Sequence, residues 1–347
     1  MADEHPIRAT EQLHPTEDDI AFFDYQFRFN TRGNPVVEAL YSVAHEWLMQ
    51  EGYERPLIWN AEWMPSPAKL DPLDVLQLEV RLPPLPAVMV ELQEVLQGDT
   101  ISPKDVASVI AKDPGLTAWL LKLVNSPYYG FSSKVSTISR AVTLAGTRQL
   151  QALAIGGSLN SLAVLLPKGL VDMDRFWRHS LAVGIAAQEL WRISGKSDGE
   201  QLFVSGILHD CGHLALAYAA PNAFSAINKS HAANPQPDYL AEREIVEFDH
   251  ARLGGMLLHR WSMPLPLISA VLRHHQVEDP ARYPEAAIVH MADALVIALG
   301  ISIRAYSPVP PLSMEAWNVL KLSPEALKET ATVLRSKLDA ICMALKP

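Results

Sequence analysis

The feature that most restricts the fold is a series of ionisable side chains set inside apolar helical sequence. His209 and Asp210 stand side by side in SGILHDCGHLAL. Around them runs the order His179, His209-Asp210, His250, His274-His275, Asp293. Nine of the chain's twelve histidines fall between His179 and His290, so the pattern is concentrated in about one third of the sequence. A carboxylate enclosed among apolar helices without a partner would be costly. The fold must therefore bring these groups to one another or to a cation. Imidazole and carboxylate hold Zn, Mn or Fe, and a two-metal site needs several of them converging in one pocket.

Composition narrows the classes around that core. Of 347 residues, 49% are hydrophobic and 20% charged, which describes a folded chain with a prior of about two domains. The two cysteines, Cys211 and Cys342, form no CxxC and point to a reducing compartment. No apolar run reads as spanning a bilayer, and the acidic N-terminus has no secretory pattern. A cytoplasmic protein with no membrane contact is expected. Net charge is −10 and no Lys/Arg cluster exceeds two residues, so a nucleic-acid partner is not expected. A phosphate-rich ligand could instead be met by bound cations.

Helix signals recur along the chain. NPVVEALYSVAHEWLMQEGY places Val37, Leu40, Tyr41, Ala44, Trp47 and Leu48 at three- and four-residue steps. The proline-rich stretch beyond it reads as an extended connector. Residues 1–80 suggest a packing extension or a dimer contact, with no assignable chemistry. Ser102-Pro103, Asp113-Pro114 and Thr137 each open a short apolar helix. Thr147 opens a long one, whose Gly156-Gly157 pair permits a close neighbour. A second helical block runs from Asp172 to about Gly300, and a final helix follows SPVPPLS. No period-two strand pattern, fixed repeat, P-loop or GxGxxG is present.

Each histidine has a plainer alternative. His179 lies between apolar positions and could simply pack. His274 and His275 are about 100° apart on a helix, so both serve one centre only if it has two sides. Asp293 lies within IVHMADALVIAL; a cation would offset its burial, and a hydrogen bond to His179 or His290 is the alternative. His209-Asp210 precedes Cys211-Gly212, a small-residue turn expected to let a metal approach the backbone. His290 reads as outer support for the centre. His5, His14, His45 and His231 read as surface residues, and His259 is off the common face. HDCGH mimics H-E-x-x-H, but Gly212 interrupts it and the other ordered ligands would go unexplained.

This order resembles the HD superfamily of metal-dependent phosphohydrolases. LPPLPAVMVELQEVL, KDPGLTAWLLKLVNSPYYGFSSKVSTISRAVTLAG, FWRHSLAVG, DHARLGGMLLHRWSMP and the RHH pair are similar, more narrowly, to the HDOD family. These are HD-related output domains of bacterial signalling proteins. The resemblance covers about Leu82 to Gly300. It implies an all-α fold, an N-terminal helical subdomain (81–170) packed on an HD-like bundle (171–305), flanked by an extension (1–80) and a C-terminal linker and helix (306–347). It implies one or two divalent transition metals (Fe, Mn, Zn or Ni). His179, His209, Asp210 and Asp293 would hold the first, and His250, His274 and His275 would add the second. Asp210 bridges them and is the catalytic candidate; His213 and His290 stand behind. Two departures argue against cyclic-dinucleotide hydrolysis: His213 replaces a lysine, and RHHQVEDPARYP lacks Gly-Tyr-Pro. The implied function is a signalling output or scaffold module with an HD-type pocket. The alternative is a metal-dependent phosphohydrolase acting on a nucleotide or other phosphoester. Other signalling proteins, a phosphoester ligand and a second copy of the chain are the implied partners.

Overall fold

The computed structural model describes residues 17–51, 83, 85–96, 102–196 and 199–345. Within these residues it contains helices and no strand. The helices are α1 (Glu17–Gln26), α2 (Pro35–Glu51), α3 (Ala87–Leu96), α4 (Pro103–Ile110), α5 (Pro114–Val124), α6 (Ile138–Ala145) and α7 (Thr147–Val164). The second block comprises α8 (Met173–Ile193), α9 (Glu200–Leu208), α10 (Cys211–Ala219), α11 (Pro221–Ala233), α12 (Asp238–Val246), α13 (His250–Arg260), α14 (Leu265–Arg273) and α15 (Pro284–Ala298). Two more, α16 (Met314–Leu320) and α17 (Pro324–Leu345), close the chain. His5 and His14, and the proline-rich connector, lie outside the described residues.

Side-chain caps set the starts of these helices. Ser102 and Asp105 form a reciprocal capping box at α4, and Asp113 accepts the Leu116 N–H at 2.9 Å. Thr137, Asp172, Asp249 and Ser313 cap α6, α8, α13 and α16 in the same way. The Asp249 cap matters most for the site, because it fixes His250 as the first residue of α13.

Glycines let the core helices approach closely. A Cβ at Gly206 of α9 would lie 2.4 Å from the Gly184 nitrogen of α8. One at Gly157 of α7 would lie 2.6 Å from Leu116 of α5, as the Gly156-Gly157 pair suggests. At Gly212 the sequence expectation is corrected. A Cβ there would lie 1.9 Å from the His250 carbonyl oxygen. The small residue admits α13 against α10, not a metal against the backbone.

The extensions belong to the same body. Val36, Leu40 and Leu48 of α2 are buried, and α2 packs on α15 and α17. Helix α17 runs along α8, burying Leu327, Thr330, Leu334, Leu338 and Ile341. Arg178–Asp339 (2.6 Å) and Arg335–Glu51 (3.0 Å) border these contacts. One stretch, Gln201–Ala219, is long and apolar enough by composition to cross a membrane, contrary to the reading above. It is 94% buried within the body, where α9 and α10 lie end to end.

Candidate metal centre

Six helices and their ends bring the seven acidic and imidazole side chains to one place. Helix α8 carries His179, and the α9–α10 junction carries His209 and Asp210. His250 begins α13, His274 and His275 follow α14, and Asp293 lies on α15. All but His275 are buried; His275 is partly exposed.

Hydrogen bonds at the far nitrogen aim each ring. His179 Nδ1 lies 2.9 Å from the Ile301 carbonyl, His209 Nδ1 2.7 Å from Gly206, and His274 Nδ1 2.7 Å from Val271. A carbonyl only accepts, so each Nδ1 donates and each ring turns its Nε2 inward. His179 Nε2 and His209 Nε2 are then 3.2 Å apart. Asp293 Oδ1 lies 3.3 Å from His179 Nε2 and 3.7 Å from His209 Nε2. Asp210 Oδ2 lies 3.4 Å from His179 Nε2, while its Oδ1 lies 3.3 Å from His209 Nε2, 3.1 Å from His250 Nε2 and 3.9 Å from His274 Nε2. His275 Nε2 approaches His250 Nε2 to 2.8 Å. The donors thus form two groups with Asp210 between them.

These spacings fit cations. Bonds of about 2.0–2.2 Å to nitrogen and oxygen separate neighbouring donors by about 3.0–3.5 Å. The buried atoms Asp293 Oδ1 and His274 Nε2 have no hydrogen-bond partner. Asp293 Oδ1 is within ion-pair range of His179 but out of hydrogen-bond alignment. Orphaned buried acceptors of this kind call for an ion or a proton. The electrostatics agree. Burial opposes charge on His179, yet Asp210 and Asp293 hold its pKa up at about 10. Burial likewise opposes ionisation of Asp210, but His209, His250 and His213 keep its carboxyl well below the usual range. Burial and the neighbouring imidazoles press His274 down to about 3, so it is a neutral donor.

Sequence reasoning missed Glu242. This fully buried side chain of α12 accepts from both the backbone N–H and Nδ1 of His250, at 2.7 Å each. It thereby turns His250 Nε2 toward Asp210. Burial opposes the charge of Glu242, and His250 and His213 hold its pKa below the ordinary range. A signal was available: Glu242 falls on the stripe of Tyr239, Ile245 and Val246, where an apolar residue would be expected. His213 Nδ1 lies 3.0 Å from Glu242 Oε1 without hydrogen-bond alignment, and its Nε2 lies 3.9 Å from Asp210 Oδ1. His290 is behind the cluster. Its Nδ1 donates to the His274 carbonyl at 2.8 Å and its Nε2 accepts the Ser313 N–H at 3.0 Å, so it has no lone pair left for a ligand.

A strap between α15 and α16 covers one side. Ser302, Ile303, Ser307, Pro308 and Pro310 join the centre in lining a space of about 20 Å³, room for about one water. His231 helps to hold it, which corrects its reading as a surface residue. His231 is buried, its Nε2 donates to the Tyr306 carbonyl at 2.8 Å, and its Nδ1 lies 3.3 Å from Asp238. Arg304 is tied to Asp238 and Asn228, and Asn30 binds Val309, Pro310 and Leu312. His45 is also half-buried, against Phe23, whereas His259 is exposed.

The all-helical body and its two imidazole groups around a shared aspartate define a domain of the HD type. The chain belongs to the HDOD domain family, whose profile matches residues 82–277. An HDOD domain protein of unknown function from Geobacter sulfurreducens superposes with a TM-score of 0.64 at 22% identity, over 79% of this chain and 98% of that one. A candidate phosphohydrolase from Shewanella amazonensis SB2B gives 0.62 at 24% identity, over 79% and 98%. At these identities the likeness is one of fold. An uncharacterized protein of Treponema pallidum (strain Nichols) is 26% identical over 266 residues, 75% of this chain and 50% of that protein. The chain therefore spans about half the length of the curated relative it matches.

Proposed function

We propose that this chain is a signalling output module organised around a pair of divalent transition-metal ions. The observation that carries the reading is Asp210, whose carboxylate stands between the two imidazole groups, Oδ2 3.4 Å from His179 Nε2 and Oδ1 3.3 Å from His209 Nε2 and 3.1 Å from His250 Nε2. His179, His209, Asp210 and Asp293 would hold one cation. His250, His274 and His275 would hold the other, sharing Asp210. Glu242 orients His250, and the carbonyls of Ile301, Gly206 and Val271 orient His179, His209 and His274. When bound, divalent ions supply charge neutralisation for a phosphoryl group. Iron, manganese, zinc and nickel all suit a donor set of imidazoles and carboxylates.

A second reading, metal-dependent phosphohydrolysis, is favoured by the completeness of the donor set and by the role named for the Shewanella protein. Against turnover stand the closely applied strap and His213, whose Nδ1 lies 3.0 Å from Glu242.

Elemental analysis of protein purified without chelator tests the first reading. Wild type should carry one to two equivalents of transition metal, Asp210→Ala should lose most of it, and exposed His259→Ala should keep it. Wild type that takes up no Mn²⁺, Fe²⁺, Zn²⁺ or Ni²⁺ would sink it. Hydrolysis of phosphomonoesters or phosphodiesters by the metal-loaded protein, abolished in Asp210→Ala, would establish the second reading in its place.

A further inference from the structure

We propose that the cleft between α12, α13 and α14 admits a phosphate-bearing ligand to the metal centre, with Arg252 and Arg273 holding its anionic group. This rests on the metal reading above.

The centre has two sides, and they differ. On one, the strap leaves room for about one water and is tied down at Tyr306, Arg304 and Val309–Leu312. On the other is His275. Six of the seven cluster residues are at most 5% exposed, and His275 alone reaches solvent. Its ring lies nearly flat on Tyr239, 4.5 Å between centroids, and its Nδ1 has no hydrogen-bond partner. His275 borders both the enclosed space and a cleft of about 320 Å³. That volume is at the lower end of small-ligand sites.

The cleft's charges indicate what would fit. Arg243 is committed, with its Nε 2.8 Å from Asp249 and its guanidinium against Tyr239. Arg252 and Arg273 line the same cleft and make no ion pair among the described residues. Arg273 rests on the Tyr283 ring at 4.2 Å, which leaves its N–H edge available. Guanidinium groups bind phosphate through paired N–H donors. Glu247 and Glu278 also line the cleft. They would repel a polyphosphate but accept hydrogen bonds from hydroxyl or amino groups. The ligand class is therefore a single phosphate ester on a hydroxyl- or amino-bearing body, as in a nucleoside monophosphate.

The test uses the full chain, Mn²⁺ and AMP. Calorimetry measures AMP affinity with and without Mn²⁺, and broadening of the AMP ³¹P resonance reports closeness to bound Mn²⁺. Orthophosphate serves as a second probe, separating recognition of the phosphate from that of the nucleoside. Wild type should bind AMP and broaden its signal. Arg252→Gln and Arg273→Gln should each weaken binding about ten-fold, while exposed Arg140→Gln should not. These arginines are at the surface, so the variants are expected to fold. Mn²⁺ uptake with no binding of either probe, or with binding unchanged in the double arginine variant, overturns the cleft and spares the metal reading. Arginine-dependent AMP binding by a protein that takes up no Mn²⁺ does the reverse.

Discussion

Which nitrogen of an imidazole meets a carbonyl decides what the other can do, and this sorts the buried histidines. His179, His209 and His274 spend Nδ1 on backbone carbonyls and present Nε2 to the carboxylates; His290 spends both nitrogens on backbone groups. His231 spends Nε2 on Tyr306 and faces Asp238. Burial depresses its pKa to about 4, outweighing the opposing pull of Asp238, while Arg304 and Arg28 add to the depression. The sign follows from linkage. Unfolded His231 takes up a proton near pH 6.5, and the folded protein refuses it until about pH 4. Stability is therefore full above pH 6.5 and is lost as pH falls through that window, by on the order of 3 kcal/mol. Urea unfolding of wild type and His231→Gln should show the variant with the flatter profile between pH 7 and pH 4.5. Parallel profiles would mean that His231 is not buried neutral. Its sequence neighbours, Lys229, Ser230 and Asn234, conceal this burial, because it comes from Tyr306 and Asp238, contributed by other segments.

At the level of helices, most starts were legible because their signals are local. Ser102, Asp113, Thr137 and Asp172 cap the helices that their sequences suggest. What a helix touches was less legible. Asn125 is the example: its side chain both donates to and accepts from the backbone of Val135, at 2.7 Å each way. Tyr128 lies stacked on Phe203, but Asn125 itself is exposed, so the turn that follows α5 packs inward only in part. Asn125→Ala should lower stability by about 1–3 kcal/mol, read from the unfolding midpoint. Gly212 is the sterner case. Its partner is the first residue of α13, thirty-eight positions on. Gly212→Ala should force α10 from α13 and draw His250 from Asp210, costing about 2 kcal/mol or more. A melting temperature equal to wild type would show that the crossing can yield.

For the molecule as a whole, the family profile ends at residue 277, yet Asp293, the strap and α17 all lie beyond it. The order of the ligand candidates could be read in sequence because each stands out against apolar neighbours. The covering of the site could not, because it joins residues from opposite ends of the chain. Helix α2 was legible as a helix, but its seat on α15 and α17 was not. Asn30, just before α2, is where the N-terminal segment meets the strap: its side chain binds the carbonyls of Val309 and Pro310 at 3.1 Å and the Leu312 N–H at 3.0 Å. Each such bond contributes about 1 kcal/mol. Asn30→Ala should therefore loosen the strap locally while leaving the core helices closed. Amide hydrogen exchange at Ser307, Val309 and Leu312 should quicken at least about ten-fold, with α8 amides unchanged. If a metal pair is bound, a chelator should also remove it faster from this variant. Equal acceleration in the strap and in α8 would mean global destabilisation, and no acceleration would mean that the N-terminal segment does not hold the strap in place.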